Sequence, residues 1–495
     1  MAYNLITCNR NQIFLMPQSM DDWLPKNHLA RFVIATVSVL DLSVFYKRRR
    51  ADGWGRAAYD PAMMVALLIY AYATGTRSSR KIERRCVEDV AFRFICANEQ
   101  PDHPTIARFL KDYDKALGDL FSQVLRLAVE VGLVKVGVVA LDGTRVQANA
   151  SPGANRSEDW IRQEVDKILA EARSSDEAED QASAGSSGDE IPKDLVDADT
   201  RLARLLAAKA RLEAHATRRQ AAYEAKLAAR KQYQERTGRA MVGRKPKPPE
   251  QRRKDADRSK KANITDPDSR TMSTANDRYQ QGYNAQAVVT EDQVTVGCSV
   301  SNEATDFAQL EPMAKQAVVN LRDAGLKGSV GVLLADAGYL TEANLALGDQ
   351  LGIELLIATR QHADAPRGRI PKGLTETQRM TRKLATKRGK ALYGKRGGAI
   401  EATFGQLRQR GMGRFRRRGL AACECEWRFE HAVHNLLKIR ASGKGLPSLP
   451  SAAVSGRRAV LRRPEGRLER RLGPWRWHLR CQGLRTHRQG TKQQP

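Results

Sequence analysis

The sequence predicts an α/β protein: a sheet of mixed strand direction with helices packed on its faces, preceded by an all-helical N-terminal region and interrupted by a helical insertion. Three observations carry that reading. Up to about residue 130, apolar residues recur at helical spacing. After residue 135, and again after 282, β-branched runs appear and then alternate with helical stretches. Between them, residues 151–262 change composition abruptly. A chain of 495 residues has room for roughly three domains.

In the N-terminal region the clearest helix opens at Pro61, a residue suited to a first turn, and Met64, Leu67, Leu68 and Tyr72 follow at helical spacing. A break at GTRSS leads to a helix whose polar face carries Arg80, Lys81, Arg84 and Arg85. The segment DHPTIARFL offers Thr105 as the N-cap of another helix, with Arg108 and Lys111 on it. Successive short helices with basic faces suit a helix-turn-helix-like DNA reader over residues 1–130; an ordinary helical bundle with solvated charges is the alternative.

From Lys135 to Asn149 the run VGVVALDGTRVQAN reads as a strand, an Asp-Gly turn and a second strand. The insertion, residues 157–262, reads as a two-helix arm. Ser157 to Thr200 carries 14 acidic and 4 basic residues, whereas Arg201 to Lys261 carries 20 basic and 6 acidic. Trp160, Ile161, Val165, Ile168 and Leu169 form one apolar stripe; Leu202, Leu205, Leu206, Leu212, Tyr223 and Leu227 form the other. The Ser/Gly-rich ASAGSSGDE is a connector, and the basic limb is either free for DNA or folded on its acidic partner.

Strands return at Gly282, with a hairpin closing around Glu291 and Asp292, then a helix from Phe307 to Asp323, a buried strand ending at Asp336, a helix in TEANLALGDQLG and a strand in IELLIAT. Residues 360–396, with 12 basic and 2 acidic residues, read as a basic loop that orders on binding, and Ile400 to Ile439 as helical. The tail, 441–495, carries 13 basic and 2 acidic residues and reads as unfolded.

The whole chain has 84 Lys+Arg against 56 Asp+Glu, a net charge of +28. That balance argues against a small neutral-metabolite enzyme and for a polyanionic partner, because Lys and Arg release counterions from phosphates on binding. No stretch approaches the roughly 18 apolar residues a bilayer crossing needs, and the N-terminus lacks a secretory pattern, so a cytoplasmic protein with no membrane partner is expected. Seven scattered cysteines suit reduced thiols better than a disulfide framework.

Asp142 stands where a strand meets its turn, Asp336 at the end of a buried strand, and Glu401 at the opening of the helix after the basic loop. Converged carboxylates repel by about 4 kcal/mol per pair at 4 Å and an effective dielectric near 20, and hard divalent cations remove that penalty. Two such ions activate a water or 3′-hydroxyl and stabilise the leaving oxygen of a phosphodiester. For a lone strand-end Asp, a turn former or helix cap is the simpler reading.

The residues around these acids resemble bacterial insertion-sequence transposases of the DDE superfamily. The resemblance rests on ALDGTRVQANAS around Asp142, LLADAGYLTEAN around Asp336 and YGKRGGAIEATFGQLR around Glu401. The last is similar to the family's Tyr-Arg-Glu-Lys signature, with Tyr393, Arg396, Glu401 and Arg408 in matching places. TDPDSRTM, QGYNAQAVV and YDPAMMVALLIYAYATGTRSSRKIE also resemble that family. The likeness spans most of residues 10–440.

It implies an RNase H-like core (131–156 and 263–440) that cuts and joins DNA ends. Asp142, Asp336 and Glu401 would hold two Mg²⁺, with Mn²⁺ able to substitute. Double-stranded DNA would be the partner, as element ends and as target, and a homodimer would pair two ends. Tyr393, Arg396 and Arg408, together with Arg80, Lys81, Arg84 and Arg108, are the candidate DNA contacts. Two departures stand out. Four residues separate Arg396 from Glu401 where the signature has three, which leaves Lys395 and Arg396 both open for the Arg role, and Arg408 replaces the signature Lys. Two other readings stay open: a catalytically silent DNA-binding or bridging protein of the same architecture, and a nuclease that cuts without joining.

Glu401 and Arg408 lie seven positions apart, about two helical turns, and so share a face, while Tyr393 and Arg396 would sit in the preceding loop. Cys423, Cys425, His431 and His434 have the residue types of a zinc site, but their spacing is tight and their surroundings read as an amphipathic core helix. Asp266 and Asp268 are spare carboxylates in a turn-like Asp-Pro-Asp-Ser.

Overall fold

The structure, a computed structural model, describes residues 19–47, 58–135, 137–182, 201–249, 261–273, 279–326, 328, 330–359 and 373–446, without the side chains of 172–182. The N-terminal region comprises α1 (Leu29–Val39), α2 (Ser43–Lys47), α3 (Pro61–Ala73), α4 (Ser79–Glu88), α5 (Val90–Ile95), α6 (His103–Asp112) and α7 (Asp114–Glu130). In α3, Asp60 caps the N-terminus by accepting from Ala62 N, Pro61 follows in the first turn, and ten of thirteen residues are buried. A helix without a solvent face has to be wrapped, and α1, α5 and the last helix of the fold do so. The N-cap of α6 is Asp102, whose carboxylate accepts from Thr105 N, and not Thr105 itself; His103 and Pro104 form the first turn.

Strand β1 (Val138–Gln147) runs unbroken through Asp142-Gly143, so the expected turn is absent. The glycine has a tertiary reason instead. A Cβ on Gly143 would press into Gln286 Nε2 and come within 2.8 Å of Asn284 Oδ1 and 2.7 Å of Asp306 Oδ1. Side chains from the neighbouring strand fill that space, and only glycine leaves it open.

A short ribbon of β2 (Asn155–Ser157) and β3 (Lys261–Asn263) roots the insertion, whose helices are α8 (Glu158–Ala182) and α9 (Arg201–Thr237). They close a small separate core of Ile161, Val165, Leu202, Leu205, Ala208 and Leu212. Each such Leu or Ile contributes roughly 1.5–3 kcal/mol by leaving water. Leu169, Leu206 and Leu227, expected in the stripes, are 37%, 43% and 41% exposed: Leu206 lies off the seam of Leu205, Ala208 and Leu212, and Leu227 lies beyond its end. Arg201 on the basic limb pairs with Glu164 on the acidic one. The connector at 183–200 and its acidic residues lie outside the described residues.

The main sheet adds β4 (Arg270–Ser273), β5 (Tyr279–Thr290), β6 (Thr295–Ser301), β7 (Val332–Ala335) and β8 (Glu354–Ile357), with α10 (Leu310–Asp323) before β7 and α11 (Glu342–Leu351) before β8. β5 lies antiparallel between β1 on one side and β4 followed by β6 on the other; β7 and β8 continue parallel beyond β1. The expected hairpin is present, with Gln293 in the left-handed region at φ 61° at its tip.

Residues 373–396 are not a loop. They form α12 (Glu376–Ala385), opened by a Thr375–Gln378 capping box, and α13 (Lys387–Arg396). The rest of the expected loop, 360–372, lies outside the described residues. Arg388 clamps α13 to the sheet edge with two bonds to Glu354 (2.8 and 2.6 Å), and Lys383 adds a third contact. These cations hold the Glu354 carboxyl down at about 2. A π turn (Gly397–Glu401) leads into α14 (Ala402–Gln409), and α15 (Leu420–Ala441) ends the described fold apart from residues 442–446. The remainder of the basic tail lies outside the described residues.

Helix α15 packs against α7 and β6, and Trp427 donates its indole N–H to Gln286 O at 2.9 Å. A buried ion pair joins the N-terminal region to it: Arg77 lies 2.5 Å from Glu426 and 3.8 Å from Glu430, all essentially without solvent exposure. No helix among the described residues is long and apolar enough to cross a membrane.

Candidate active site

Strand β7 pairs with β1 from Val138↔Val332 as far as Ala140↔Leu334, and one residue past its end stands Asp336. Carried forward two residues, that register sets Asp142 beside Asp336. The short strand ends there, and the two carboxylates are close enough for Asp336 to act on Asp142. Asp336 is fixed by a turn of its own, accepting from Gly338 N at 2.9 Å. Asp142 accepts from Gly143 N at 2.8 Å. Burial pushes the Asp142 carboxyl up to about 6; Arg396 opposes that shift, and Asp336 and Asp306 reinforce it.

Asp306 is a carboxylate that the sequence reading missed. It lies between β6 and α10, where no periodicity marks it, and accepts from Asn284 Nδ2 (2.6 Å) and Gln286 Nε2 (2.9 Å). A Cβ on Gly338 would meet Asp336 Oδ1 at 3.0 Å and Asp306 Oδ2 at 3.4 Å, so the two acids share one small space. The available signal was the pair of amides in GYNAQAVV: Asn284 and Gln286 share a strand face, both are fully buried, and buried amides need partners. Tyr339, also buried, bonds Gln286 Oε1 and closes the floor.

The third predicted acid arrives on a helix. Arg396, on the last turn of α13, places one guanidinium nitrogen 2.6 Å from Asp142 Oδ2 and the other 3.5 Å from Glu401 Oε1. Neither Tyr393 nor Arg396 is in a loop, and Glu401 closes the π turn where a helix opening was expected. Of the two candidates for the Arg role, Arg396 faces the acids and Lys395 pairs with Glu291 at 2.8 Å. Tyr393 is half-buried, its hydroxyl pushed up by burial and by Asp336, Asp142 and Glu401 against the pull of Arg396. Arg408 bonds Thr144 Oγ1 at 2.8 Å, two residues along β1 from Asp142 and on the same face.

The Glu401 side chain is 66% exposed and touches Asp142 only through Arg396. Among the described residues, no three His, Cys, Asp or Glu side chains stand close enough together to hold a metal ion. The donor set is nevertheless of the right chemistry: carboxylate oxygens suit hard divalent cations, and Asp336 and Asp306 both act on Asp142.

Arg80, Lys81, Arg84 and Arg108 are all exposed on α4 and α6. The Cys/His set is dispersed in the core: His431 Nδ1 meets Thr295 Oγ1 (2.8 Å), His434 Nε2 meets Gln293 O (2.8 Å), and Cys423 donates to Arg417 O. Asp266 accepts from Tyr283 OH (2.7 Å), and Asp268 accepts from Leu420 N (2.8 Å) at the start of α15; both are structural.

Two family comparisons bear on this geometry. Residues 18–112 match a family described as Transposase domain (DUF772), and residues 368–440 match one described as Transposase DDE domain. The first covers α1 to α6 with their basic faces; the second covers α12 to α15, including Tyr393, Arg396, Glu401 and Arg408. No curated protein and no solved structure matches the chain. Transposase families are thus matched near both ends of the described fold, and the two matches support an insertion-sequence transposase of the DDE family.

Proposed function

We propose that the protein cleaves the ends of an insertion-sequence element and joins them to target DNA by two-metal-ion phosphoryl transfer on an RNase H-like core. The observation that carries this reading is the β1–β7 register, which brings Asp142 alongside Asp336, with Glu401 linked to Asp142 through Arg396. The strand order β6-β5-β1-β7-β8, with only β5 antiparallel to β1, supports the core assignment.

Asp142, Asp336 and Glu401 would hold two Mg²⁺, with Mn²⁺ able to substitute; bound there, the ions supply an activated water or 3′-hydroxyl and stabilise the leaving oxygen. The chain's own residues do the rest. Arg396 neutralises Asp142 and Glu401 until DNA enters, and its planar fork then suits a phosphate of the scissile strand. Arg408, anchored on Thr144, presents charge along β1. Asp306 keeps a further negative charge beside Asp336, oriented by two amides. The exposed Arg80, Lys81, Arg84 and Arg108 serve as DNA contacts of an N-terminal binding domain, and a homodimer holds two ends together.

Purified full-length protein, incubated with labelled linear DNA carrying an element end in Mg²⁺ or in EDTA, tests the reading. Metal-dependent cutting at the end followed by a joined product supports it. Cutting without joining points to a nuclease, and binding alone to a silent DNA-bridging protein.

A further inference from the structure

An open cleft of about 420 Å³ lies between helix α9 of the insertion and the edge of the sheet at β4, away from the acids. Its walls concentrate positive charge: Arg211, His215 and Arg219 from α9, Arg270 from β4 and Lys261 from β3. Arg211 is held rigidly, donating to Ser269 O (2.8 Å) and Lys261 O (3.3 Å), while its Nε is buried with no hydrogen-bond partner. Among the described residues neither Arg211 nor Arg270 makes an ion pair; Asp268 and Glu303 act on them only from farther off.

The effect of this crowding is visible on His215. Burial first, and then Arg270, Arg219, Arg211 and Arg218, push its imidazole down to about 4. Burial and Arg270 likewise push Arg211 down. Like charges gathered in a partly dry cleft repel one another, and an anion seated among them removes that cost. Planar guanidinium forks are suited to phosphate oxygens.

The cleft also connects to the acids. Ala304 lines it, and Arg145 donates to Ala304 O at 2.7 Å while reaching Asp306 at 3.9 Å. Arg145 therefore stands between the cleft and the carboxylate cluster. Exposed Tyr279 at the wall adds an aromatic face of the kind on which a base stacks.

We infer that this cleft binds the phosphodiester backbone of the DNA strand whose scissile phosphate lies at Asp142 and Asp336, so that the insertion is part of the DNA-binding surface and not a spacer. The inference rests on the proposed function for the direction of the strand, but its test measures binding alone.

The test compares wild type with Arg211→Gln/Arg270→Gln by salt titration of end-DNA binding with the full chain. Each lost phosphate contact removes roughly 0.9 from the slope of log K against log salt, so the double variant should be shallower by about two units. Arg270→Lys, which keeps the charge, should restore its share, separating charge from folding. In parallel, ¹³C-histidine NMR follows His215, assigned through His215→Gln: a short oligonucleotide should raise its pKa by about one unit or more as phosphate offsets the surrounding charge.

An unchanged slope with an unmoved His215 would overturn the inference. So would an equal rise with inorganic phosphate alone, which would mark a site for free phosphate. If cleavage proceeds while these readouts stay flat, the cleft is refuted and the enzyme reading stands; if the slope changes but no cutting occurs, the reverse holds.

Discussion

The Arg396 guanidinium bridges Asp142 and Glu401, at 2.6 and 3.5 Å. Arg396 and Glu401 are five positions apart, and in a regular α-helix that separation turns them about 140° from each other. The π turn at Gly397–Glu401 closes over five residues and brings them to one side. The residue that is extra relative to the family signature is thus absorbed as a local bulge, and the relation of Arg to Glu is kept.

Deleting Gly398 should let the bulge revert to regular helix. Arg396 and Glu401 would then stand four apart, still on one face, with α13 held by Glu354 and α14 by Thr144. Cleavage within about tenfold of wild type and equal or higher thermal stability are expected. A folded deletion variant with no cleavage would show that the bulge itself is required.

Much of this architecture was legible because its signals are local. β5 to β8 read as β-branched runs between turn residues, and Asp336 was visible at a strand end. Gly143 misled for the same reason: Asp-Gly signals a turn locally, and only the packing of Asn284, Gln286 and Asp306 against it explains an unbroken strand. Helices α12 and α13 were hidden by their charge, although Thr375 and Gln378 spelled a capping box. Asp306 and the pairing of Arg396 with both acids depend on contacts between distant segments, and no spacing announces those.

The Arg77 ion pair should be costly to break. Replacing Arg77 with Ala leaves Glu426 buried without its cation and Glu430 with Arg410 alone, an effect of roughly 3–5 kcal/mol. Chemical denaturation at pH 7 measures it, and a loss under 1 kcal/mol would contradict the clamp between the N-terminal region and α15.

Burial holds His434 neutral, with its imidazole pushed down to about 3, Arg410 and Lys438 adding to the shift and the bond to Gln293 opposing it. The folded state binds fewer protons than the unfolded chain between pH 3 and about 6.5. Stability is therefore full above that range and falls as pH drops through it, by about 2 kcal/mol from pH 7 to pH 5 for one such group. His434→Gln should remove that share of the pH dependence in denaturation curves; an unchanged dependence would reject it.

Arg80→Gln with Arg84→Gln should weaken end-DNA binding and flatten its salt slope by about two units, because both side chains are exposed. Thermal stability should stay within about 0.5 kcal/mol of wild type. Unchanged binding would reduce the basic face to a solvated surface.

The central claim is that Asp142, Asp336 and Glu401 act together on one phosphodiester. Paired gel-shift and cleavage assays on Asp142→Asn, Asp336→Asn and Glu401→Gln, each in Mg²⁺, address it most directly. The expected result is end-DNA binding close to wild type with cleavage reduced by roughly three orders of magnitude or more in each variant. Wild-type cleavage by any one of the three would remove that residue from the site and contradict the account.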